Sequence, residues 1–110
     1  MIYLWIALAL LALLRPLEAQ QGGYISGVVQ DRSGALVGNA QVRLQNQQTG
    51  ARQTISGDTS GTYSSSELMP GKYNIVVRSP GFRTNVRTDV EVVAGKTSRA
   101  DFTIELLPFE

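Results

Sequence analysis

The chain has 110 residues and a net charge of +1, and it contains neither His nor Cys. That length allows one domain. Near-neutral charge offers no electrostatic case for a nucleic-acid or anionic-membrane partner, and the missing residue types exclude disulfides, Cys- or His-dependent nucleophiles and His-based zinc sites.

Residues 2–14, IYLWIALALLALL, form an uninterrupted apolar run. It is shorter than the roughly 20 residues a spanning helix needs and fits the apolar core of a secretory signal peptide. Arg15-Pro16 ends the run, and Ala19 offers a small residue for cleavage before Gln20. No Lys or Arg precedes the run, and Leu17 is large for its place before the cleavage point, so an uncleaved anchor is the competing reading. The predicted organisation is a helical signal peptide over 1–19 and a β domain over 20–110. An exported domain is expected, periplasmic, outer-membrane-associated or secreted, with the mature part not spanning a membrane.

From residue 24 onward the pattern has period 2. YISGVVQ (24–30) is β-rich with a Gly in its middle, and DRSGALVGN (31–39) is dense in turn residues. AQVRLQN (40–46) alternates Ala40, Val42 and Leu44 with Gln41, Arg43 and Gln45. QTGARQTISGDTSG (48–61) is polar apart from Ile55 and predicts a weak edge strand closed by a turn at 57–61. A short strand surrounds Tyr63. Pro70-Gly71 and Pro80-Gly81 then bracket a strand over 72–78. Beyond it Phe82, Val86, Val90 and Val92 share one parity, and Arg83, Asn85, Arg87, Asp89 and Glu91 the other. After a turn at 94–96, Ala100, Phe102, Ile104 and Leu106 alternate with Arg99, Asp101, Thr103 and Glu105. No helical period follows the apolar run. About seven short strands with one apolar face each predict an all-β antiparallel sandwich.

Several stretches together carry a resemblance. They are Ile25-Ser26-Gly27-Val28-Val29, Asp31-Arg32-Ser33-Gly34, Ala40 to Leu44, Gly61-Thr62-Tyr63, and Leu68-Met69-Pro70-Gly71-Lys72-Tyr73 through Gly81-Phe82. In this order they resemble a carboxypeptidase regulatory-like domain over residues 24 to about 107. The resemblance implies a transthyretin-like β-sandwich, similar also to starch-binding-like and adhesin repeats. Such domains often stand at the N-terminus of TonB-dependent outer-membrane receptors, and a signal peptide directly before the domain resembles that arrangement. The zinc site of the metallocarboxypeptidases and the site of transthyretin-like hydroxyisourate hydrolases both use His, which this chain lacks.

The remaining candidates weigh toward structure. Asp89 with Glu91, and Asp101 with Glu105, fall on outward faces among Arg87 and Arg99, as cross-strand ion pairs would. Asp31 and Asp58 each open a D-x-S-G stretch. One carboxylate per loop is too few for calcium, whereas Asp commonly caps its own turn. Tyr63, Tyr73, Phe82 and Phe102 share the core parity, leaving Tyr24 and Phe109 for sugar stacking. Lys72 and Lys96 come too late for an internal Lys–Asn isopeptide bond. Arg78, Arg83, Arg87 and Arg99 alternate with acids and have no aromatic among them. No catalytic, cofactor or metal residue is assigned, and no cofactor is expected. The Tyr73 hydroxyl is expected to bond backbone in the 68–71 loop. The expected function is that of a non-catalytic accessory or interaction domain with a protein or glycan partner in the cell envelope. The weak strand near 48–56 is its candidate partner edge. The alternative is a carbohydrate-binding module.

Overall fold

The computed structural model describes residues 21–108. The expected signal peptide, its cleavage point and Phe109 lie outside the described residues. Eight strands follow: β1 (Tyr24–Asp31), β2 (Gln41–Asn46), β3 (Arg52–Ser56), β4 (Thr62–Ser64), β5 (Gly71–Arg78), β6 (Asn85–Val92), β7 (Thr97–Arg99) and β8 (Phe102–Ile104). One sheet has the order β4-β1-β7, with β8 following β7 along the same side of β1; the other has the order β3-β2-β5-β6. Alternate residues of both sheets meet in one core that includes Ile25, Val29, Val42, Leu44, Tyr63, Ile75, Val77, Phe102 and Ile104. This is the sandwich that the period-2 pattern predicts.

Two features depart from the seven-stranded antiparallel expectation. The last strand is divided into β7 and β8, and both run parallel to β1. The break has a local cause. At Ala100-Asp101 the Asp101 carboxylate takes the Val28 N–H (2.9 Å) in place of a backbone acceptor. The offset between β1 and its neighbour is the same on both sides of the break, Ser26 opposite Arg99 and Val29 opposite Phe102.

The second departure is in β6. Tyr73 lies opposite Val90 but Ile75 lies opposite Arg87. Asn74 therefore faces two residues, Thr88 and Asp89, and Asp89 has φ of 60°. This is a β-bulge, and a one-residue slip exchanges the faces of a strand. After the bulge Val90 and Val92 face the core as expected. Before it the parity is reversed: Val86, expected inside, is 58% exposed, while Arg87, expected outside, reaches over the Phe102 ring at 4.4 Å. That contact sets an aromatic ring beside Arg87, contrary to the expectation that no aromatic accompanies these arginines. Leu106, also expected inside, is exposed because the chain has left β8 to cross toward Phe82.

The reversed half of β6 closes one flank of the sandwich. The Arg83 N–H donates to the Glu105 carbonyl (2.7 Å), the Asn85 amide to that of Thr103 (3.2 Å), and the Arg87 guanidinium to that of Asp101 (2.6 Å). Each step moves two residues along both strands, so side chains continue an antiparallel ladder that the backbone alone cannot span.

Candidate functional site

The opposite flank is less protected. Among the described residues β3 pairs with β2 and with no other strand. The bonds Asn46 N–H to Ala51 C=O and Gly57 N–H to Ala40 C=O fix the phase of that ladder. In an antiparallel pair alternate residues bond inward, so Gln53 and Ile55 are spent on β2. The backbone groups of Arg52, Thr54 and Ser56 point away from the sheet. The link to the other sheet here is a pair of bonds: Gln53 Nε2 donates to Ser66 Oγ (2.6 Å), and Ser66 N–H donates to Gln53 Oε1 (3.0 Å). Beside the start of β3 lies a small cleft of about 180 Å³, bordered by Asn46, Arg52, Gln53, Glu67, Met69 and Tyr73. The weak polar strand read from the sequence is thus an open sheet edge, somewhat shorter than the stretch 48–56.

The carboxylates are dispersed into structural roles. Asp31 Oδ1 accepts from the Ser33 and Ala35 N–H groups (2.9 and 3.0 Å) and from the Ser33 hydroxyl. Asp58 repeats this arrangement with Ser60 and Thr62 (3.0 and 2.9 Å). The hydroxyls of Ser33 and Ser60, helped by those backbone donors, hold both carboxyls below the usual range. Both D-x-S-G stretches are therefore closed turns, with Gly34 and Gly61 at φ of 87° and 82°. Asp101 is also held low, chiefly by its bond from Arg99 (2.9 Å). Asp89 accepts from Gln47 (2.9 Å), and Glu105 pairs with Arg32 at 3.8 Å. Among the described residues no three acidic groups come together as metal ligands would.

The aromatic side chains divide as the parity implied. Tyr63, Tyr73 and Phe102 are buried, and Phe82 packs against the core half-buried. The Tyr73 hydroxyl donates to the Met69 carbonyl (2.7 Å), inside the loop anticipated for it. Tyr24 is 40% exposed. No helix among the described residues is long and apolar enough to cross a membrane.

Solved structures with this fold come from varied proteins. A Bacteroides uniformis protein whose name assigns carbohydrate binding provisionally is 20% identical. The match covers 76% of this chain and 41% of that one, with a TM-score of 0.63. The TIE protein of Bacillus anthracis is 16% identical over 79% of this chain and 17% of that one, TM-score 0.68. A 3-chlorocatechol 1,2-dioxygenase from Rhodococcus opacus 1CP is 12% identical over 80% and 62%, TM-score 0.59. The chain thus spans less than two thirds of each of these proteins, and at such identities they share its fold alone. No curated protein matches it in sequence. The carboxypeptidase regulatory-like domain family matches residues 24–105, nearly all of the described sandwich. The chain belongs to the carboxypeptidase regulatory-like domain family.

Proposed function

We propose that this is a non-catalytic, exported interaction domain that takes an extended segment of a partner onto the edge of β3. The open edge carries the proposal: three outward-facing backbone positions, at Arg52, Thr54 and Ser56, stand ready to extend the ladder. Family membership and the absence of His and Cys support a non-catalytic role. The fold alone would not, because a dioxygenase shares it. Export rests on the apolar run 2–14. A domain in that position resembles the N-terminal extension of a TonB-dependent outer-membrane receptor. Gene sequence beyond codon 110 tests that point: a plug and barrel are expected, and an immediate stop codon removes the receptor reading.

Hydrogen exchange tests the edge. The amides of Arg52, Thr54 and Ser56 are expected to exchange fast in the isolated protein, while those of Gln53 and Ile55 are protected. Full protection of all five in the monomer would sink the proposal.

A second reading, a carbohydrate-binding module, is favoured by the likeness to the Bacteroides uniformis protein. Tyr24 offers its ring for stacking. Titration with starch oligosaccharides distinguishes it: binding that disappears in Tyr24→Ala supports the module, and no binding to any glycan removes it.

A further inference from the structure

The register of the β3-β2-β5-β6 sheet brings three arginines onto one diagonal. On its outer face Arg52 lies in the row of Gln45 and Asn74, Arg43 in the row of Thr54 and Val76, and Arg78 in the row of Gln41 and Ser56. Each is one strand and two residues from the next, so successive Cα atoms stand about 8 Å apart. Strands β3, β2 and β5 contain no carboxylate. The acids of this face are on β6, where Glu91 lies opposite Lys72 and Asp89 is held by Gln47. Ion pairs among the described residues are Arg32–Glu105 and Arg99–Asp101, so none of the three arginines has a carboxylate partner there.

Arg43 sits at the centre of the diagonal. Its Nε is closed off from solvent and has no hydrogen-bond partner. The Arg43 side chain is thus packed in place without a counter-ion among the described residues. At the Arg78 end the face opens into a shallow cleft of about 390 Å³, formed by Asn39, Gln41, Arg78, Ser79, Pro80 and Thr84. Gln41, Gln45, Thr54 and Asn74 supply amides and a hydroxyl between the charges. Tyr73, the aromatic residue of these three strands, points into the core.

We propose that this diagonal binds an acidic glycan, an extended polysaccharide bearing carboxylates, with one sugar acid in the cleft against Arg78 and a second carboxylate on Arg43. Arginine forks suit carboxylates, and the amides between them suit sugar hydroxyls. A neutral sugar finds no ring to stack on here, and single-stranded nucleic acid needs stacking platforms that the face lacks. The proposal rests on the domain being a non-catalytic binding module, but not on the β3 edge.

The test is calorimetric titration of the full chain with a hexamer of galacturonic acid, its fully methyl-esterified form, and single-stranded DNA. The acid hexamer is expected to bind, with affinity falling as salt is raised, because exposed charges are screened. Arg78→Gln and Arg43→Gln should each weaken it tenfold or more, and Arg99→Gln, on the other sheet, should leave it unchanged. Arg78 is exposed, so its variant keeps the test valid even where Arg43→Gln does not fold. No binding, equal binding of the methyl ester or of DNA, or arginine variants that bind like the parent would each overturn the proposal. Failure here with fast exchange at Arg52, Thr54 and Ser56 leaves the edge reading standing. Glycan binding with a fully protected edge reverses that outcome.

Discussion

Gly27 and Tyr63 face one another across the β1–β4 ladder, and the Tyr63 ring borders the space that a side chain at residue 27 would need, which the Ala100 carbonyl fills. The Tyr63 hydroxyl donates onward to the Ala100 carbonyl, which lies directly above Gly27. Strands β1 and β4 and the link between β7 and β8 are therefore joined through a position that must stay empty. Gly27→Ala would push a methyl group into the Ala100 backbone, which cannot rotate aside. Overpacking of this kind costs about 1–3 kcal/mol, and urea denaturation should show at least that loss.

Burial of the same phenol makes the sandwich sensitive to alkali. Burial pushes the Tyr63 phenol well above the usual phenol range, with the Arg87 charge nearby acting in the other direction. A phenol whose pKa is raised on folding stabilises the fold fully below the unfolded value and loses that contribution as pH rises beyond it. Stability should be flat up to about pH 10 and then fall. Tyr63→Phe should be less stable at neutral pH by about 1–3 kcal/mol, because a buried carbonyl loses its donor, and should show a shallower alkaline fall. Thermal melts between neutral and alkaline pH check both points.

Tyr73 makes a similar but more local bond, to the Met69 carbonyl four residues earlier. Its loss leaves a carbonyl near the surface, where water can replace the phenol. Tyr73→Phe should cost about 0.5–1.5 kcal/mol in chemical denaturation. An unchanged midpoint would mean that the bond contributes nothing net.

The bulge in β6 predicts an inversion of ordinary mutational expectations. Val86→Thr should be neutral within about 0.5 kcal/mol, since Val86 faces solvent. Arg87→Ala should be the more harmful change, by about 1 kcal/mol, because it uncovers Phe102 and removes the donor to Asp101. Paired urea melts of the two variants decide between this register and an unbulged strand, which would give the reverse order.

Asp31 and Asp58 should contribute, with Asp101, to the acid limit. Both carboxyls are held below the usual carboxylate range by their turn partners, the Ser33 and Ser60 hydroxyls first. Groups lowered on folding contribute stability above the unfolded pKa and lose it as pH falls through the folded one. The double variant Asp31→Asn, Asp58→Asn keeps the acceptor oxygens and cannot titrate. Its melting temperature should fall less steeply than the parent's below about pH 4.

Much of this architecture was legible in the chain itself. Alternation at Val42-Leu44, Tyr73-Ile75-Val77 and Phe102-Ile104 assigns faces directly, because strand side chains repeat every two residues. Asp-x-Ser-Gly and Pro-Gly mark turns through local chemistry, and the Tyr73 hydroxyl finds its partner within the same loop. The polar stretch around Thr54 announced a poor inner strand. Tertiary structure decided what depends on partners distant in sequence. Alternation cannot tell whether β7 and β8 run parallel to β1. It also cannot locate a bulge, since one extra residue at Asp89 reverses Val86 and Arg87 without altering the pattern on either side. The diagonal of Arg43, Arg52 and Arg78 exists only through the register of three strands, since each arginine taken alone is an ordinary surface residue. Within the regular strands the sequence specified which residues turn inward, because alternation is local; at Val86, Arg87 and Leu106 the tertiary path overrode it. Which outward residues become neighbours was decided by the hydrogen-bonded pairing of the strands.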